Sequence, residues 1–232
     1  MLKIEKTVLP SPEQWEIIIE GMRNPMNSWD LMDTEWTDDL ESIGSKDLIG
    51  YDSKGYYKAI GDNDLKLMMQ LAKGGAVHAK YRRMIPVYLT INAPFYWWKE
   101  FDTYKVGTVA NSCSTMHKIH EKEFTIDDFS HEHLYPSCKA ALEHVIDELN
   151  HAINWFLECD KTMFNADKKN DWWQMIQLLP TSYNQKRTVM LNYEVLVNIY
   201  HSRKNHKLDE WHTFCDWIEG LPYSELITGK VE

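Results

Sequence analysis

The chain has 232 residues, and 35 acidic against 25 basic side chains leave a formal charge of −10. An apolar fraction of 44% and an aromatic fraction of 12% exclude a disordered polymer and call for an aromatic-rich core. The acidity argues against bulk affinity for nucleic acid or an anionic membrane, but leaves room for a small anionic ligand in a locally basic pocket. Ten Gly and eight Pro are too few for a many-turned β sandwich, so helix should dominate.

Residues 2–9 (LKIEKTVL) alternate apolar and polar, which predicts an opening strand. Ser11-Pro12 then starts a helix, with Ser at the cap and Pro in the first turn. Trp15, Ile18, Ile19 and Met22 form its apolar face. Residues 25–60 lack periodicity and read as a long irregular excursion with room for a short helix. A helical pattern resumes from Asp62 to Leu71 and stops at Lys73-Gly74-Gly75. Ile85, Val87, Leu89 and Ile91 lie on one face of a strand that ends at Ala93-Pro94, and Phe95 begins an aromatic helix. Residues 104–117 are small, polar and aperiodic, and read as a loop.

Ser137 is placed to cap the longest helix, about 138–160, whose apolar rhythm runs through Ala141, Leu142, Val145, Ile146, Leu149, Ile153, Phe156 and Leu157. A short helix over 170–178 ends at Leu179-Pro180, and a strand follows over 186–191. Two helices, about 192–203 and 207–219, close the pattern, and Gly220-Leu221-Pro222 stops the second. No repeat or linker divides the chain, so the expectation is one α+β domain over residues 1–232, with 25–60 as a candidate insertion.

Four Cys (113, 138, 159 and 215) form no CxxC pair, and neither a signal peptide nor an 18-residue apolar stretch stands out. A reduced cytoplasmic protein with free thiols is the simplest expectation. Asn192, Leu196, Ile199 and Arg203 fall on one stripe of the penultimate helix, so Arg203 projects from a face that should be buried. A buried guanidinium needs an acceptor and suits a planar, oxygen-bearing ligand. The alternative is that it snorkels to water or pairs with a structural carboxylate. In the loop, Thr108, Asn111, Ser112, Ser114 and Thr115 offer hydroxyl and amide groups for a phosphate, or form an ordinary polar surface. His78 precedes Lys80, Arg82 and Arg83, which suit a phosphate-rich cofactor or a solvated strand edge. Glu148-x-x-His151 and Asp209-x-x-His212 carry the spacing of di-iron bundles, but the further carboxylates such a site needs are not evident, so no metal is expected. No GxSxG, GxGxxG or Walker sequence is present.

The order of these features resembles the flavin-dependent thymidylate synthases. That family has a Leu-Pro, a strand, an Asn-x-Arg opening a helix that ends in Leu-Arg, and a helix bearing His and Glu. Leu179-Pro180, Asn192, Asn198, Arg203, His206 and Glu210 match it in order. The family's signature loop, Arg-His-Arg-x-x-Ser-x-Asn-Glu-x-Ser-x-Arg-Tyr, is met by Thr103-Tyr104-Lys105, Thr108, Asn111-Ser112-Cys113-Ser114 and Met116-His117, with one extra residue between Thr108 and Asn111. The chain departs where Arg-His-Arg is Thr-Tyr-Lys, where Ser112 replaces Glu, where Met116 replaces Arg, and where Asn-x-Arg is Asn192-Tyr193-Glu194. The resemblance lies mainly in residues 78–120 and 170–222.

The resemblance implies an antiparallel sheet flanked by long helices and a homotetramer with sites at subunit interfaces. It implies FAD as cofactor, with methylenetetrahydrofolate and NADPH as co-substrates, and transfer of a one-carbon unit to C5 of dUMP. By resemblance Arg203 holds the pyrimidine and stabilises negative charge there. Asn111, Ser112 and Ser114 bind the nucleotide, and His78, Lys80, Tyr104, Lys105, Asn192, Glu194 and Asn198 line the flavin. With the loop arginines gone, either Arg82, Arg83 or Lys118 replaces them or the substrate is another pyrimidine nucleotide, such as deoxycytidylate. The alternative is a non-catalytic nucleotide- or flavin-binding protein on the same scaffold.

Overall fold

The computed structural model describes residues 1–39, 41, 43, 48–158 and 165–230. It has an α+β fold of antiparallel sheets and helices. β1 (Lys3–Val8) leads into α1 (Pro12–Arg23). Ser11 caps α1 as the sequence predicts, and Gln14 returns the bond to complete a capping box. Trp15, Ile18, Ile19 and Met22 are all buried.

The excursion 25–60 is more ordered than its aperiodicity suggests. Two 3-10 turns (Asn24–Met26 and Trp29–Leu31) precede a three-stranded antiparallel sheet of order β2-β4-β3. These strands, β2 (Trp36–Thr37), β3 (Leu48–Tyr51) and β4 (Tyr57–Ala59), have two to four residues each, too few to display a period of two. Lys58 on the central strand is buried, and its ammonium pairs with Glu16 and lies 5.0 Å from the Trp36 ring centre.

α2 (Asp62–Lys73) follows. Its N-terminal amides are satisfied from a distance, because Asp33 accepts from the backbone N–H groups of Asn63 (2.8 Å) and Asp64 (3.0 Å). A Cβ on Gly61 would lie 2.3 Å from the Asp33 carboxylate, so the close approach requires glycine there. A 3-10 helix, Lys80–Met84, precedes β5 (Pro86–Pro94) and α3 (Phe95–Phe101). Ile85, Val87, Leu89 and Ile91 are buried, as the alternation requires.

The segment 104–117 is not loop throughout: Val109–Ser112 forms β6. Its four residues are all exposed and carry no apolar alternation, which hides the strand from sequence. α4 (Pro136–Glu158) packs on α5 (Asn165–Leu178). Ser137 lies inside α4 rather than at its cap, Ala141 and Leu157 face solvent, and the last two residues expected in this helix lie outside the described ones. α5 begins earlier than expected. β7 (Asn184–Asn192), α6 (Tyr193–Arg203) and α7 (Asp209–Glu219) match the predicted closing pattern, and a one-turn α8 (Glu225–Thr228) follows. The larger sheet has the order β1-β5-β7-β6.

The chain gathers into two compact units. The first comprises 1–5, 90–103 and 111–188, and its core joins Phe124, Phe129, Ile146, Leu149, Ile153 and Met175. The second comprises 6–89, 104–110 and 189–232. There Trp15 meets Tyr193 and Tyr223 edge-on, and the Tyr193 hydroxyl donates to the Pro222 carbonyl (2.6 Å).

Candidate functional site

The second unit holds Arg203, His78, Lys80, Tyr104, Lys105, Asn192, Glu194 and Asn198. α6 organises them. Asn192 caps α6, its side chain accepting from the Val195 N–H at 3.1 Å, so its amide oxygen is committed to the fold. The loop 104–108 rests on this first turn. Gly107 has φ +82°, and a Cβ there would lie 3.1 Å from Asn192 Nδ2 and 3.2 Å from Val195 Cγ2. The backbone angle favours glycine, and a Cβ would press on both side chains.

The 3-10 helix 80–84 packs against the same helix. Arg82, read from sequence as part of a solvated or cofactor-facing basic run, is instead buried, with Nη1 3.6 Å from Glu194 Oε2. Arg82 Nε, Glu194 Oε2 and the neighbouring loop's Thr108 Oγ1 are buried without a hydrogen-bond partner. Each such group costs about 1–3 kcal/mol unless something satisfies it. Burial pushes the adjacent Tyr81 hydroxyl up to about 12, against the opposing pull of Arg82. His78 and Lys80 stay exposed in a turn and a 3-10 helix, not on a strand edge, and Lys105 and Asn198 are exposed too.

Arg203 is half-buried at the end of α6. Its Nε donates to the Tyr104 hydroxyl at 2.8 Å, and its guanidinium carbon lies 4.9 Å from the Trp211 ring centre and 5.6 Å from that of Tyr104. The face that the helical wheel buries is therefore an aromatic seat. Trp211 is fully buried on α7.

Asn111, Ser112 and Ser114 belong to the first unit and are exposed. Ser114 Oγ accepts from the His117 N–H at 3.0 Å, and Lys118 pairs with Glu121. Among the described residues no three His, Cys, Asp or Glu are grouped to hold a metal. His151 stacks on Trp155 one turn along α4, and His212 Nε2 lies 2.6 Å from the His206 carbonyl.

The fold has solved counterparts. Two crystal structures of thymidylate synthase X from Helicobacter pylori, both with FAD and dUMP, resemble this chain with TM-scores of 0.64 and 0.59. Each is 12% identical, and the match covers 98% of this chain and 96% of the other. The two chains share a fold almost end to end. No protein-family model and no curated protein matches the sequence. No helix among the described residues is long and apolar enough to cross a membrane.

Proposed function

We propose that this chain is a divergent, FAD-binding relative of the flavin-dependent thymidylate synthases that transfers a one-carbon unit to C5 of a pyrimidine deoxynucleotide. The observation that carries the reading is the aromatic seat of Arg203, in a fold shared over 98% of the chain with an enzyme solved with FAD and dUMP. On this reading the 232 residues form one domain of that type, and four copies build sites at their interfaces in the cytoplasm.

Polar residues of α6, of the 104–108 loop and of the 78–84 segment suit a polar, phosphate-bearing cofactor. Exposed Lys80 and Lys105 supply positive charge, and His78 and Asn198 supply further polar contacts. The unpartnered Thr108 hydroxyl and the Arg82–Glu194 pair supply buried polar groups that a ligand satisfies. FAD, when bound, supplies the redox chemistry of the one-carbon transfer, with methylenetetrahydrofolate as donor and NADPH as reductant. The chain's own part is to bind, orient and stabilise charge. Arg203, fixed by Trp211 and Tyr104, holds the pyrimidine ring and offsets negative charge that develops on it. Asn111, Ser112 and Ser114 address the nucleotide from the signature loop.

A second reading, a binding protein without catalysis, draws on that loop. No arginine stands between residues 104 and 117, Ser114 is engaged by His117, and Lys118 is engaged by Glu121. A thermal-shift panel of FAD with dUMP, dCMP and dTMP tests the proposal, because a ligand of the native state raises its melting temperature. FAD and one pyrimidine nucleotide should each raise it. Failure of all four ligands to do so would refute the proposal, and shifts without turnover would favour the second reading.

A further inference from the structure

The resemblance assigns Tyr104 to the flavin, but its hydrogen bond ties it to Arg203. We propose that the Tyr104 hydroxyl is a substrate-binding donor, polarised by the Arg203 guanidinium and directed at a carbonyl oxygen of the bound pyrimidine. This inference rests on the functional reading above.

A phenol has one proton to donate and lone pairs to accept with. Here Tyr104 Oη accepts from Arg203 Nε at 2.8 Å. Its own proton must therefore point away from that bond. Among the described residues no acceptor takes it. A hydroxyl that accepts from a cation becomes a stronger donor, because the two bonds polarise one another. The phenol is also rigidly placed. Its ring meets the Trp211 ring edge-on at 6.2 Å and 71°, and Trp211 is fully buried. The same indole lies under the guanidinium at 4.9 Å. One buried side chain thus fixes both donors.

Two flat donors held side by side recognise oxygen atoms on a planar ring. A phosphate is met best by the forked edge of an arginine. The loop that carries Tyr104 lacks the arginines found at the family's equivalent positions. Recognition therefore shifts from the phosphate toward the base, and Tyr104 is the residue that makes this shift.

The test is isothermal titration of the full chain with dUMP and, separately, with FAD, in wild type and in Tyr104→Phe. Phe keeps the ring against Trp211 and removes only the hydroxyl, and an unchanged melting temperature verifies the fold. Loss of about tenfold in dUMP affinity with FAD affinity unchanged is expected, the effect of one hydrogen bond to a charged network. NMR of Arg203 should show an Nε proton protected from exchange in wild type and exposed in the variant. Unchanged dUMP affinity in the variant overturns the role of Tyr104, as does a loss confined to FAD. Wild-type protein that binds neither ligand overturns the functional reading itself, and this inference with it.

Discussion

Arg23 and Arg82 are both buried against a carboxylate, and the fold treats them differently. Arg23 Nε donates to Asp64 Oδ1 at 2.6 Å. The other Asp64 oxygen accepts from the Asp33 and Thr34 amides, each at 3.1 Å, and from the Thr34 hydroxyl at 2.6 Å. That pair is closed: it pins the 24–34 segment to α1 and α2 and leaves nothing for a ligand to satisfy. Arg82 and Glu194 stand 3.6 Å apart, and each keeps a buried atom without a hydrogen bond. Burial alone therefore does not separate scaffold from site. What distinguishes these two pairs is the completeness of their hydrogen bonding.

The largest effect should come from opening the closed pair. Asp64→Asn leaves Arg23 buried without its anion and should cost about 3–5 kcal/mol in denaturant unfolding. Glu194→Gln should cost about 1 kcal/mol, since its pair is already incomplete, while weakening FAD binding. Equal stability losses in the two variants would break the comparison. Gly107→Ala should cost about 1–2 kcal/mol, through a strained φ and contact with Asn192 and Val195, and should weaken ligand binding at the start of α6. Ser11→Ala removes the capping box made with Gln14 and should cost about 1 kcal/mol with ligand binding unchanged.

The pH dependence sharpens the same contrast. Tyr81, beside Arg82, has its hydroxyl raised from an ordinary value of 10.0 to about 12, and burial raises the Cys215 thiol from 9.0 to about 11. An acid whose pKa rises on folding keeps its proton in the native state. Its stability contribution is present below the unfolded value and is lost as pH climbs toward the folded one. Unfolding free energy should therefore fall from about pH 9 upward, and Tyr81→Phe should flatten the upper part of that fall.

Much of this fold was legible in sequence because its elements are long enough to show a period. α1, β5 and α6 each bury the face that their spacing predicts. The small sheet over 36–59 and the exposed β6 are too short or too polar to show one. Asp33 capping α2 is a contact across about 30 positions, which local pattern cannot reveal. At the site, the wheel located Arg203. Its partners Tyr104 and Trp211 lie on other elements, so their convergence waited for the structure. Arg82 read as one of a basic run with Lys80 and Arg83, suited to a phosphate-rich cofactor or a solvated strand edge; only packing against α6 reveals its burial.

The central claim is that this scaffold holds a flavin beside a pyrimidine nucleotide gripped by Arg203. The most direct measurement is the visible spectrum of the purified chain after incubation with FAD and desalting, followed by titration with dUMP. Retained flavin absorbance that dUMP perturbs is expected, with an Arg203→Ala variant that keeps the flavin and loses the perturbation. A colourless protein after desalting, or an Arg203→Ala variant with an unaltered response to dUMP, would contradict the central claim.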